Sequence, residues 1–117
     1  MGAWGTELQS GDIALDVIAS SKVRRIQQEK DKRSLRKYLT EIKSKYGSNW
    51  SVGVLGVVEH LLDKGMPHTF FDTCRPIIDA AIDAEKQPDR LATWFDPESR
   101  KKVLCSLKKR LQGKKVD

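Results

Sequence analysis

Trp50-Ser-Val-Gly-Val-Leu-Gly-Val-Val-Glu-His-Leu-Leu-Asp-Lys64 is the stretch whose reading decides the fold. Val52, Val54, Val57 and Val58 favour a strand by propensity. The apolar residues, however, continue to Leu61 and Leu62 and stop only before Gly65, which makes the segment too long for one ordinary strand. The spacing therefore predicts a helix from Trp50 to Lys64, opened by Ser48 or Asn49. Being apolar on most sides, it is expected at the centre of the domain. Gly53 and Gly56 each cost about 1 kcal/mol of helix propensity relative to Ala. They are expected where a neighbouring element comes close.

On the N-terminal side, Leu35, Tyr38, Leu39, Ile42 and Tyr46 recur at i, i+3, i+4, i+7 and i+11, a single helical stripe. Asp31 or Ser34 should cap this helix and Gly47 should end it in a left-handed turn. Its opposite face carries Arg33, Arg36, Lys37, Lys43 and Lys45. Before it, Leu15, Ile18, Ala19, Val23 and Ile26 predict one helix running from Asp12 to near Glu29. Trp4, flanked by Gly2 and Gly5, is read as an indole closing the N-terminal end of the core.

On the C-terminal side, Met66-Pro67 begins a connector that includes Phe70-Phe71. Asp72 or Thr73 should cap the next helix, which tolerates Pro76 in its first turn. Ile77, Ile78, Ala81, Ile82 and Ala84 form its expected buried side, and Asp79, Asp83 and Glu85 its wet side. From Pro88 to Phe95 runs a short link with room for one helical turn, placing Leu91, Trp94 and Phe95 on the core. Asp96-Pro97-Glu98 is a strong helix start. Val103, Leu104, Leu107 and Leu111 stripe the last helix, and Gly113 ends it. The expectation is an all-α, single-domain bundle of about five helices over residues 1–112, with a frayed tail at 113–117.

The 117 residues suit one domain with one core. The net charge of +6 conceals a block pattern. Residues 1–21 hold three acids and no base, residues 22–45 ten bases against three acids, residues 46–98 four bases against nine acids, and residues 99–117 eight bases against one acid. Two basic arms thus flank an acidic middle, an arrangement that steers association with charged partners. No early apolar segment resembles a secretion signal and no apolar run approaches the ~20 residues of a membrane span. Cys74 and Cys105 make no disulfide framework, so a reducing, cytoplasmic setting is expected.

The search for reaction chemistry yields little. His60, His68, Cys74 and Cys105 stand singly, without the paired short spacings that metal sites use. Cys74 follows His68 by six residues, but free cysteines commonly behave as small buried hydrophobes. Phosphate-binding glycine loops are absent. Asp79 and Asp83 stand at i, i+4 on a wet face and would serve acid–base work only if buried or coupled. No catalytic, cofactor-binding or metal residue is nominated, no cofactor is expected, and an enzyme is the weakest class. Nucleic acid is a better candidate, since Arg24, Arg25, Lys32, Arg33, Arg36 and Lys37 could neutralise phosphates together with Lys101, Lys102, Lys108, Lys109 and Arg110. No helix-turn-helix, finger or aromatic-studded sheet accompanies these bases, so base readout is unsupported.

Met1-Gly-Ala-Trp-Gly5-Thr6 followed by Gly11-Asp12-Ile13-Ala14-Leu15-Asp16 resembles a bacterial family of small proteins of unknown function, with an N-terminal Met-Gly-Ala/Thr-Trp-Gly motif and a following Asn/Gly-Asp-x-Ala-x-Asp. Trp94 and the stripe of Leu104, Leu107 and Leu111 are similar to its C-terminal part. The resemblance implies a small cytoplasmic α-helical protein without transferable catalytic residues. Members of such families are sometimes read as immunity proteins that neutralise toxins. The leading expectation is a non-catalytic protein-binding module of that kind, its partner a protein such as a cognate toxin. A nucleic-acid-associated protein is the alternative, and no membrane partner is expected. The candidate partner-binding residues are Asp72, Asp79, Asp83 and Glu85 in the acidic middle, and Arg33, Lys37, Lys101, Lys102, Lys108 and Lys109 in the basic arms.

Overall fold

A computed structural model of the chain describes residues 12–91 and 97–113. The described residues are helical, without strands, and form seven α-helices: α1 (Asp12–Ile18), α2 (Ser21–Glu29), α3 (Lys32–Lys45), α4 (Trp50–Asp63), α5 (Arg75–Glu85), α6 (Pro88–Leu91) and α7 (Pro97–Leu111). Five of them have nine residues or more. Short 3-10 segments at Gly47–Asn49 and His68–Cys74 lead into α4 and α5. The expectations placed on Trp4 and the N-terminal motif, on the side chains of Leu15, Leu91, Trp94 and Phe95, on the Asp96 cap and on the tail 114–117 lie outside the described residues.

α4 is the central rod, packed by α1, α3 and α5. Gly53 to Val58 and Leu61 are buried along it. α3 comes close at Gly53, where an added Cβ would stand 2.8 Å from the Ile42 Cγ2. The stripe of α3 buries Leu35, Tyr38, Leu39 and Ile42 as its spacing predicts. Asp31 caps it, accepting from the Arg33 N–H at 3.0 Å, and Gly47 follows it in a left-handed conformation (φ +55°). Ile78, Ala81 and Ile82 of α5 and Leu104, Leu107 and Leu111 of α7 complete the core, with Ile77 and Val103 half-buried against it.

Three local expectations are corrected. The predicted first helix is two: Ser20 is extended, and its hydroxyl accepts from the Lys22 N–H at 3.2 Å to start α2 afresh. Consecutive serines offer the backbone a partner outside the helical ladder, and apolar periodicity alone does not register that competition. Ala19, placed on the stripe, is consequently exposed, whereas Val17 is buried. At α5, Cys74 rather than Asp72 or Thr73 occupies the capping position, without a side-chain bond. The 3-10 segment runs straight into the helix and its carbonyls serve the first N–H groups, as in Arg75 N–H to Asp72 C=O. Asn49 stands at the start of α4, likewise without a side-chain cap.

Candidate functional site

The largest departure from expectation concerns Glu85. Predicted on the wet side of α5 as a partner-binding acid, it is fully buried. Its register explains this: Ile78, Ala81, Ile82 and Glu85 fall at i, i+3, i+4 and i+7, all on the core stripe. Ser51 of α4 donates to Glu85 Oε2 at 2.8 Å, and Arg90 of α6 donates to the same oxygen through Nε and Nη2 at 3.2 and 2.9 Å. Arg100 of α7, also fully buried, donates from Nη2 to Oε1 at 3.2 Å. Burial pulls the Arg100 guanidinium below its ordinary range, and the bond to Glu85 opposes that pull. One carboxylate therefore fastens four helices. It is shut off from any partner and acts on the fold.

The other acids do not gather. Asp72 and Asp83 are exposed on different elements. Asp79 Oδ1 lies 3.5 Å from Arg75 Nη2, an ion pair within α5. Arg75 also donates from Nη1 to the Leu111 carbonyl at 3.0 Å, which secures the end of α7.

The bases divide into two faces. Lys101, Lys102, Lys108 and Lys109 are exposed on α7, and their spacing of i, i+1, i+7 and i+8 sets two pairs about 10.5 Å apart on one side. Arg33, Arg36 and Lys37 are exposed on α3, where with Thr40, Ser44, Lys45 and one acid, Glu41, they line an open, mainly basic face. Arg36 and Thr40 also line a cleft of about 340 Å³ that α3 shares with the start of α5. Its opposite wall is mostly apolar, made by Cys74, Pro76, Ile77 and Ala80 together with Thr73. The sequence discloses the bases of this face, Arg33, Arg36, Lys37 and Lys43, but not the cleft, because its two walls come from elements some 35 residues apart.

A polar depression also separates α1 and α2 from α3. There the Tyr46 hydroxyl donates to Asp16 Oδ2 at 2.6 Å, and this bond to a carboxylate pushes the phenol up to about 12. Tyr38 donates to the Val17 carbonyl at 3.0 Å, and burial raises its phenol. Lys22 and Glu41 pair at 2.6 Å on the rim. These bonds hold α1 and α2 onto α3, and each leaves its groups engaged.

His68 and Cys74 do not converge. His68 is exposed at the head of the 3-10 segment, its ring against Gly113, while Cys74 is buried at the other end. Burial pushes the Cys74 thiol up, opposite to what a nucleophile needs. His60 is half-buried, and burial lowers its imidazole. Among the described residues no group of three or more His, Cys, Asp or Glu is placed to hold a metal ion, and no helix is long and apolar enough to cross a membrane.

No known protein family, curated protein or solved structure matches the chain.

Proposed function

We propose that the protein is a non-catalytic binding module that neutralises a bacterial toxin by covering part of its surface. The observation that carries the reading is the division of its charge. Among the described residues the buried charged side chains, Glu85 and Arg100, bind one another, whereas Arg33, Arg36 and Lys37 stand exposed beside a cleft. Buried charge so arranged fastens the fold, and exposed charge of one sign steers and orients a partner. The N-terminal motif supports the more specific toxin-neutralising reading through its resemblance to a bacterial small-protein family.

Co-expression with the product of the neighbouring gene tests it. The two proteins should purify together, and cells making both should survive where the neighbour alone arrests growth. Absence of both complex and protection removes the reading.

A further inference from the structure

The cleft between α3 and α5 joins two kinds of wall. Arg36, Thr40 and Lys43 form one line along α3 at i, i+4 and i+7, so a cation stands at each end of a wall about 10.5 Å long, the Lys43 ammonium lying 5.2 Å over the Trp50 ring. Pro76, Ile77 and Ala80 form the facing wall on α5, and Thr73 and Cys74 continue it at the end of the 3-10 segment. Pro76 and Ala80 are exposed, and half-buried Ile77 packs directly on the core, so the apolar surface of the cleft continues into the interior. Asp79, the acid next to Ala80 on α5, is engaged by Arg75.

We infer that this cleft is a docking groove for an acidic, amphipathic helical segment of a protein partner. The inference rests on the protein-binding reading and adds the surface and the chemistry of what it takes. An apolar wall receives side chains presented at i, i+3 and i+4 by an incoming helix, the usual anchors of helix-in-groove recognition. Carboxylates on the flank of that helix meet Arg36 and Lys43, and a basic segment is repelled by the same pair. Arg36 belongs to the open basic face as well, so the attraction reaches beyond the groove through Arg33 and Lys37. A nucleic-acid strand fits less well. No aromatic ring lines the cleft to stack a base, and a phosphate backbone would leave Pro76, Ile77 and Ala80 uncovered.

Selection of a phage-displayed library of random peptides of about 16 residues, roughly four helical turns, against the full chain tests the groove directly. Enriched sequences should interleave Asp or Glu with Leu or Phe at helical spacing. The strongest, made synthetically with a fluorophore, should lose affinity by roughly tenfold or more on the double variant Arg36→Glu/Lys43→Glu, about 1.4 kcal/mol or more. Ala80→Trp, which fills the cleft without changing charge, should lose it as well. All three positions are exposed, so the variants should keep the wild-type circular dichroism and melting temperature. No enrichment, enrichment without acidic bias, or equal binding to both variants overturns the groove, as does displacement of the peptide from the cleft by duplex DNA. Peptides that dock while the neighbouring gene product neither binds nor harms cells leave the groove standing and remove the toxin-neutralising function. Protection that persists in both variants does the reverse.

Discussion

Glu85 shows how far one residue's role depends on its register. Asp79 and Asp83 lie on the exposed side of α5, and composition alone groups Glu85 with them. Position i+7 from Ile78 puts it in the core instead, where it meets Ser51 and Arg100. Those two also occupy core positions of their own helices, Ser51 three and four residues before Val54 and Leu55, and Arg100 four and seven before Leu104 and Leu107. Three polar residues on three apolar stripes are a signal that their partners are one another. Removing one member leaves a buried charge unmatched, so Glu85→Leu or Arg100→Met should each cost about 3–5 kcal/mol. Replacing both, as Glu85→Leu/Arg100→Met, should recover part of that loss, because half-buried Arg90 can turn to water and no buried charge is left unmatched, while the buried Ser51 hydroxyl loses its acceptor. Urea unfolding of the wild type and the three variants measures the coupling. If the double variant merely adds the two single losses, the pair is not the unit described here.

At the scale of elements, the contact of α3 with α4 is set by what is missing at Gly53. Alanine in its place gains about 1 kcal/mol of helix propensity. The added methyl, however, meets the Ile42 Cγ2 at 2.8 Å, and Ile42 is itself buried and β-branched, with little freedom to withdraw. Overpacking of that kind typically costs about 1–3 kcal/mol, so Gly53→Ala should lower stability overall, by roughly 1–2 kcal/mol. A melting temperature at or above that of the wild type would show that α3 and α4 can separate freely. The same helix pair shows what the sequence discloses. The core of α3, α4, α5 and α7 is readable from periodicity, because each stripe is long and continuous. The break between α1 and α2 is not, because Ser20 ends the first helix through a local hydrogen bond that interrupts no apolar spacing. The uncapped start of α5 escapes for a related reason, since the 3-10 turn before it supplies what Asp72 or Thr73 was expected to supply. The candidate surface is half legible: the bases of α3 are plain, but their apolar counterpart on α5 reads in sequence as an unremarkable run of Pro76, Ile77 and Ala80.

For the whole molecule, the question is whether two basic faces make it a nucleic-acid binder. With a Cα radius of gyration of 13.1 Å, the chain is as compact as a single domain of its length should be, yet it is several times wider than the ~8 Å Debye length at physiological salt, so its two basic faces act separately there. Among the described residues, the rings beside the basic faces each carry a lysine on one side: Lys43 lies 5.2 Å over Trp50, Lys45 5.4 Å over Tyr46 and Lys22 5.7 Å over Tyr38. Contact of α3 and α7 with a duplex is therefore expected through phosphates, which carry affinity without sequence. The dissociation constant for duplex DNA should fall near 10⁻⁴–10⁻⁶ M at physiological salt, and binding should weaken steeply between ~50 and 200 mM. Each lysine of α7 that contacts a phosphate adds about 0.9 to the slope of log affinity against log salt. Changing Lys101, Lys102, Lys108 and Lys109 to Gln should then flatten that slope by up to about 3.6, with little effect on stability because all four are exposed. Fluorescence polarisation across a salt series reads both quantities. Nanomolar affinity that survives 200 mM salt and discriminates between sequences would demand a readout surface that neither α3 nor α7 provides, and would place nucleic acid ahead of protein as the partner.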